Sequence, residues 1–139
     1  MENLISIIIP VYRGNPVYFN KTIESCLNQT YQNVEVIIID NGINDEIQDT
    51  LNELNTKDNV TVVKNSKSGV CSGRNLGVKT AKGDYIMFLD ADDWIERNTC
   101  EILLNHAIEA VADCVICNYS RDYSDHSEKM LQLYKRYYV

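Results

Sequence analysis

The chain has 139 residues, 45% of them hydrophobic and 24% charged, with a formal net charge of −7. This size and composition are sufficient for one domain with a hydrophobic core. The acidic balance argues against duplex nucleic acid as a partner, because that ligand requires a basic surface. No run approaches the ~18 apolar residues of a membrane span, and the amino terminus lacks the basic start of a secretory signal. We therefore expect a cytoplasmic protein.

The hydrophobic pattern predicts five β-strands that alternate with four helices. The strands are expected at 4–9, 34–39, 60–63, 85–89 and 113–118. The first helix begins at Pro16 after an Asn15 cap, the second buries Ile47, Leu51 and Leu54, and the others span about 71–81 and 98–110. Such alternation is typical of an α/β fold with a mostly parallel sheet and right-handed crossovers.

The apolar run at 85–89 is typical of a strand that is buried on both faces of a parallel sheet. It ends in three carboxylates, Asp90, Asp92 and Asp93. In an extended segment Asp90 and Asp92 project to the same side, at the sheet edge where α/β proteins bind ligands. Two adjacent negative charges favour a compensating cation, and hard oxygen ligands favour Mg²⁺ or Mn²⁺. The alternative is structural: Asp92 or Asp93 caps the turn that follows.

The spacing of the glycines excludes two kinds of nucleotide-binding loop. Residues 10–15, after the first strand, contain neither the Gly-x-Gly-x-x-Gly of dinucleotide folds nor a Walker loop. Gly69, Gly73 and Gly77 recur every four residues around the third helix, which predicts close packing of that helix. A nucleotide is therefore not held by a glycine-rich loop after the first strand.

Four motifs in order carry a family resemblance. They are Ser6-Ile-Ile-Ile-Pro-Val-Tyr12, Asp40-x-Gly42-x-x-Asp45, Gly73-Arg74-Asn75-x-Gly77, and the segment 83–93. Together they resemble family 2 glycosyltransferases with the GT-A fold, over residues 4 to about 118. The resemblance implies a three-layer α/β/α sandwich, shortened after about five β-α units, in which residues 1–118 bind a nucleotide-sugar donor.

The resemblance also implies roles for the three acids. Asp92 is the first candidate ligand of a Mn²⁺ or Mg²⁺ ion that bridges the diphosphate. Asp90 serves the ribose or the metal shell, and Asp93 has a supporting role. The metal would stabilise the leaving nucleoside diphosphate.

Other positions match the donor pocket of the family. Pro10, Val11 and Tyr12 match the segment that cradles the nucleobase, although such a tyrosine is as often simply packed. Arg74 matches a position that meets the base or the diphosphate; the alternative is an ion pair with a neighbouring acid. Asp40 also matches, or caps its own loop.

Asn41 departs from the family pattern. It replaces an acid that often reads the uracil imide in this family. An amide can accept that hydrogen bond but can also donate one, so a donor nucleotide other than UDP stays open.

The acceptor side of the reaction has no recognisable residues. Only residues 94–139 follow the acidic motif, and the family's catalytic base lies well downstream of it. No base is assigned, since the later acids stand in no recognisable family context: Asp113, Asp122, Asp125 and Glu128.

Residues 119–139 form a separate tail in this scheme. Met130, Leu133, Tyr134 and Tyr137 have helical spacing, which predicts an amphipathic helix. With Lys135 and Arg136, this helix is a candidate for weak contact with the cytoplasmic membrane face or with a second copy. The alternative is a helix packed on its own domain.

The leading hypothesis is metal-dependent transfer of a sugar from a nucleoside diphosphate, UDP first, to an acceptor hydroxyl. The acceptor would be a glycan, a lipid-linked sugar or a protein, in polysaccharide or glycan biosynthesis. The alternative is a non-catalytic module that binds nucleotide-sugar or a partner chain, since the acceptor half is missing. A metal-dependent phosphohydrolase is less favoured, because no nucleophile signature accompanies the acids.

Overall fold

The computed structural model describes residues 2–67 and 69–130. The chain divides into two compact units, Met1–Glu101 and Ile102–Val139. The first unit contains a four-stranded sheet with three helices and the start of a fourth. The second contains most of the fourth helix and a two-stranded hairpin.

The sheet of the first unit is parallel throughout, in the order β3-β2-β1-β4. Its strands are β1 (Ile5–Val11), β2 (Val34–Asp40), β3 (Val60–Lys64) and β4 (Tyr85–Phe88). The helices of the chain are α1 (Pro16–Leu27), α2 (Asp45–Leu54), α3 (Val70–Thr80) and α4 (Thr99–Ala110). The α/β class is confirmed, and the strand register aligns the ends of β1, β2 and β3 at Val11, Asp40 and Lys64.

Isoleucines of the two central strands form the core. Ile7, Ile8 and Ile9 of β1 and Ile37, Ile38 and Ile39 of β2 are fully buried. α3 approaches β1 so closely that a Cβ on Gly77 would lie 2.3 Å from the Ile8 Cγ2 atom. This confirms the packing role of that glycine. α1 and α2 pack against each other, and right-handed crossovers place them on the face opposite α3, giving three layers.

The first helix begins as its sequence predicts. Pro16 is its first residue, and the Asn15 Oδ1 atom accepts a hydrogen bond from the Val17 N–H at 2.8 Å. Phe19, Ile23 and Cys26 are buried along one stripe of the helix.

Two expectations about the sheet are wrong. The apolar run at 113–118 forms no strand, and among the described residues the parallel sheet has four strands rather than five. A strand requires a hydrogen-bonding neighbour, which apolar composition alone does not supply. β4 is also not buried on both faces, because Ile86 and Phe88 are 43% and 46% exposed.

The second unit corrects the predicted tail. Residues Tyr119–Asp122 (β5) and Ser127–Met130 (β6) form an antiparallel hairpin, so a helical tail is wrong for 119–130. The Tyr123 N–H closes the turn of the hairpin by donating to the His126 carbonyl at 2.8 Å. Leu133, Tyr134, Lys135, Arg136 and Tyr137 lie outside the described residues.

The helices of the described ranges are all too short or too polar to cross a bilayer.

Candidate functional site

The loops that follow β1 and β2 are joined by backbone hydrogen bonds. The Asn41 N–H donates to the Val11 carbonyl at 2.8 Å, and the Arg13 N–H donates to the Gly42 carbonyl at 3.3 Å. Tyr12 is 63% exposed, and a Cβ on Gly42 would lie 3.5 Å from its Cε2 atom. Pro10 is half-buried and Val11 fully buried, so Tyr12 is the side chain that this strand end offers to a ligand.

Asp40 holds the loop after β2. Its Oδ1 atom accepts hydrogen bonds from the backbone N–H groups of Gly42 at 2.8 Å and Ile43 at 3.1 Å. Gly42 has a φ of 112°, a conformation that favours glycine. The loop-capping interpretation is therefore confirmed, and a role of Asp40 in donor binding stays a prediction.

Asn41 belongs to an amide cluster that joins β2, β3 and α3. The Asn65 Nδ2 atom donates to the Asn41 Oδ1 atom at 2.7 Å and lies 3.2 Å from the Ser72 Oγ atom. A Cβ on Gly73 would lie 2.6 Å from the Asn41 Nδ2 atom, so a side chain at position 73 would displace this amide. Asn65 and Ser72 were not predicted; the signal for Asn65 was its position as a polar residue directly after a strand.

Arg74 and Asp90 form an ion pair at the carboxyl end of β4. The Arg74 Nη2 atom lies 2.9 Å from the Asp90 Oδ1 atom, and both side chains are partly exposed. The guanidinium lies 5.7 Å from the centre of the Phe88 ring. Its Nε atom is buried without a hydrogen-bond partner in the part of the chain that the structure describes. The ion-pair alternative is confirmed.

The three acids lie in a tight turn rather than in an extended segment. The Asp93 N–H donates to the Asp90 carbonyl at 3.1 Å, so the expectation that Asp90 and Asp92 project to one side of an extended chain is wrong. Across 2–67 and 69–130, no side-chain hydrogen bond involves Asp92 or Asp93, so neither caps the following turn. Burial, and then the charges of Asp92 and Asp90, raise the pKa of Asp93.

Polar side chains of α1, and Gln29 just after it, hold the acidic turn and the loop that follows the turn. The Thr22 hydroxyl lies 3.0 Å from the Ala91 carbonyl, and the Ser25 Oγ atom accepts from the Ile95 N–H at 3.2 Å. Gln29 donates to the Glu96 carbonyl and accepts from the Cys100 N–H. The sequence carried this signal for Thr22 alone, a polar residue on the apolar stripe of α1; Gln29 is also buried but lies just beyond the helix.

The acidic turn offers carboxylate oxygens, which are the ligands that a hard cation prefers. Within the described ranges, no group of three His, Cys, Asp or Glu side chains is arranged to hold a metal by itself. Magnesium usually requires only one or two carboxylates, because substrate phosphates and water complete its shell. Burial comes first among the causes that raise the pKa of Asp93, and the second cause, the negative charges of Asp92 and Asp90, is one that a cation would relieve.

Comparison with known proteins settles the family. The model of Glycosyl transferase family 2 matches residues 6–138. The chain belongs to this family. The confirmed GT-A expectation agrees with solved structures: TarS 1–349 from S. aureus, in complex with UDP-GlcNAc, superimposes with a TM-score of 0.68 at 25% identity, covering 76% of this chain and 31% of that one.

Two curated relatives are informative. Glycosyltransferase GlyG of Streptococcus pneumoniae is 37% identical over 121 residues, which is 86% of this chain and 40% of GlyG. WfaP of Escherichia coli, a UDP-Glc:alpha-D-GlcNAc-diphosphoundecaprenol beta-1,3-glucosyltransferase, is 40% identical over 91 residues, 66% of this chain and 36% of WfaP. The family 2 chain thus spans about two fifths of the length of these relatives.

Proposed function

We propose that this chain binds a nucleoside-diphosphate sugar, UDP-sugar first, as the donor domain of a metal-dependent glycosyltransferase. One observation carries the proposal: a single edge of the parallel sheet offers an exposed aromatic ring, an amide cluster, a guanidinium and three carboxylates. Ligands of open α/β sheets bind at this edge. Family membership and the named ligands of TarS, UDP and UDP-GlcNAc, support it.

The polar groups divide the pocket into two sides. Tyr12 and Asn41 lie at the ends of β1 and β2 and offer stacking and hydrogen bonding, which suit a nucleobase. Arg74 and the Asp90–Asp93 turn lie at the end of β4 and suit the diphosphate. We assign Asp90 and Asp92 as the residues that would hold Mn²⁺ or Mg²⁺, with Asp93 in support.

Transfer leaves negative charge on the nucleoside diphosphate. When bound, a divalent cation supplies Lewis-acid stabilisation of that charge. Arg74 is a cation of the protein at this edge, and its planar N–H groups match phosphate oxygens. In the free protein Arg74 is paired with Asp90, so donor binding exchanges an exposed ion pair, worth little by itself, for contacts with the donor.

Calorimetric titration with UDP and UDP-GlcNAc, with and without Mn²⁺, tests the proposal. We expect metal-dependent binding that Asp92→Asn weakens at least about tenfold, the effect of one lost charge-assisted contact. Asp58→Asn is the matched control, because Asp58 is an exposed acid in the turn before β3, at the opposite edge of the sheet. A folded wild-type protein that binds neither ligand with metal would contradict the proposal.

The same samples separate transfer from binding alone. We assign no catalytic base and no acceptor, and the alternative of a non-catalytic donor-binding module predicts binding without release of UDP from UDP-GlcNAc. Release of UDP in the presence of Mn²⁺, lost in Asp92→Asn, would exclude that alternative. A role in polysaccharide or glycan biosynthesis and a cytoplasmic location stay predictions.

A further inference from the structure

The amide of Asn41 is fixed in one orientation by its neighbours. The backbone N–H of Lys67 lies 3.1 Å from the Asn65 Oδ1 atom, and a backbone N–H can only donate. This bond fixes the Asn65 amide, so its Nδ2 donor faces Asn41 at 2.7 Å. The atom of Asn41 that meets a donor must be its oxygen, and its N–H₂ group therefore points away from Asn65.

The N–H₂ group of Asn41 has no acceptor among the described residues. It lies beside Gly73, whose missing side chain leaves the space that the amide occupies. The next residue, Gly42, lies against the exposed ring of Tyr12. The Asn41 N–H₂ group is thus an oriented donor one residue from the glycine that lies against Tyr12, at the strand ends that suit a base.

We propose that Asn41 selects the nucleobase as a hydrogen-bond donor, and so requires a base atom that accepts. The inference rests on the proposed function, which puts the base beside Tyr12. An aspartate here would turn one oxygen to Asn65 and the other to the base. Asn41 makes the same bond to Asn65 but presents an N–H group in place of the second oxygen. It therefore requires a hydrogen-bond acceptor on the base, where an aspartate would require a donor.

Uracil and cytosine distinguish these polarities, because the donor and acceptor pattern at ring positions 3 and 4 is reversed between them. UDP and CDP are otherwise alike, so the ratio of their Kd values isolates the base contact. Added negative charge near the diphosphate weakens the binding of UDP and CDP equally, so it leaves the ratio of their Kd values unchanged. We would measure both Kd values with Mg²⁺ for the wild type, Asn41→Asp and Asn65→Asp, with Asn59→Asp, exposed at the opposite edge, as the control.

Asn41→Asp replaces the donor by an oxygen, so the UDP/CDP ratio should shift by about tenfold or more away from the nucleotide that the wild type prefers. Asn65→Asp should shift it in the same direction, because an acceptor at 65 turns the Asn41 amide over and presents its oxygen to the base. Asn59→Asp should leave it within about twofold. Thermal melting confirms that each variant is folded.

A ratio that stays within about twofold of wild type in folded Asn41→Asp, or that moves further toward the preferred nucleotide, overturns the inference. The same result in Asn65→Asp overturns the fixed orientation of Asn41. Failure of the proposed function is a different result, because the wild type would then bind neither nucleotide.

Discussion

The parallel sheet has an amino edge, where its strands begin, and a carboxyl edge, where they end. The two edges contain the same kinds of residue and use them in opposite ways. At the amino edge, the Asp84 Oδ2 atom accepts from the Leu4 N–H at 2.9 Å. The Glu35 Oε1 atom there accepts from the Ser6 hydroxyl at 2.6 Å and from the Lys82 N–H at 2.7 Å. At the carboxyl edge, Asp92 and Asp93 have no such partners in the described ranges.

A carboxylate at a strand end is therefore not in itself a sign of function. Acids that accept backbone hydrogen bonds hold the fold, whereas acids held near one another without partners keep their charge available for a ligand. Asp40 is intermediate, because one oxygen caps its loop and the other has no partner among the described residues. The comparison predicts that changes at the amino edge reduce stability and that changes at the carboxyl edge reduce binding.

The largest expected effect is at the amino edge, from Gly83→Ala. An added Cβ would lie 2.5 Å from the Ser6 Oγ atom, 2.7 Å from the Ser6 backbone nitrogen and 2.8 Å from the Leu4 carbonyl oxygen. Because two of these are backbone atoms, we expect a loss of about 3 kcal/mol, at the upper end of overpacking effects, by urea unfolding. Lys82→Ala, at an exposed neighbour, should cost less than about 0.5 kcal/mol.

Glu35→Ala should remove about 2 kcal/mol of stability. It leaves the fully buried Ser6 hydroxyl and the Lys82 N–H without their acceptor. Glu35→Gln keeps an acceptor oxygen at the same place and should recover most of the loss. If Glu35→Ala weakened UDP binding in a sample still folded, the division between the two edges would be wrong.

Thr22→Val should cost about 1 kcal/mol and also weaken metal-dependent donor binding. The fully buried hydroxyl lies 3.0 Å from the carbonyl oxygens of both Tyr18 and Ala91, so its O–H can donate to either. Loss of the Ala91 contact loosens the acidic turn. Thr22→Ser retains the hydroxyl and should bind normally. Normal binding by Thr22→Val would show that α1 does not position the turn.

Asp93→Asn should have the smallest effect and the opposite sign. Burial and its acidic neighbours raise the pKa of Asp93 in the folded state, so ionised Asp93 lowers stability once the pH exceeds the ordinary carboxyl range. Asp93 is exposed and solvent screens its interactions, so the variant should be more stable at pH 7 by less than about 0.5 kcal/mol, and the difference should vanish below about pH 4. A variant that melts lower at pH 7 would indicate that Asp93 is structural.

The sequence predicted the first four strands and the helices well, because isoleucine-rich runs and regular apolar stripes report burial directly. Asn15 with Pro16 fixed the start of α1 for the same local reason. The prediction of a fifth strand at 113–118 was wrong, because an apolar composition predicts burial but not the neighbouring strand that a sheet requires. The prediction of a helix was wrong for 119–130, because Met130 was grouped with the helical spacing of later residues.

The site was predicted in part. Asp90 and Asn41 do lie at one edge, as parallel strand ends must. Arg74 reaches the same edge from α3, and its pair with Asp90 was one of two alternatives. The turn at Asp90–Asp93 was missed because its geometry depends on anchoring by α1, which a reading of the acidic motif alone does not include. The fixed amide of Asn41 depends on Asn65, 24 residues away, and only the fold reveals it.

The most direct test of the contrast between the edges is a titration of the labelled protein with UDP and Mg²⁺, followed by backbone amide chemical shifts in NMR spectra. We predict large, saturable shifts at the carboxyl edge, at Tyr12, Asn41, Arg74 and Asp92, and none at Ser6, Glu35 and Asp84. Shifts confined to the amino edge, or none at saturating UDP and Mg²⁺, would contradict the account.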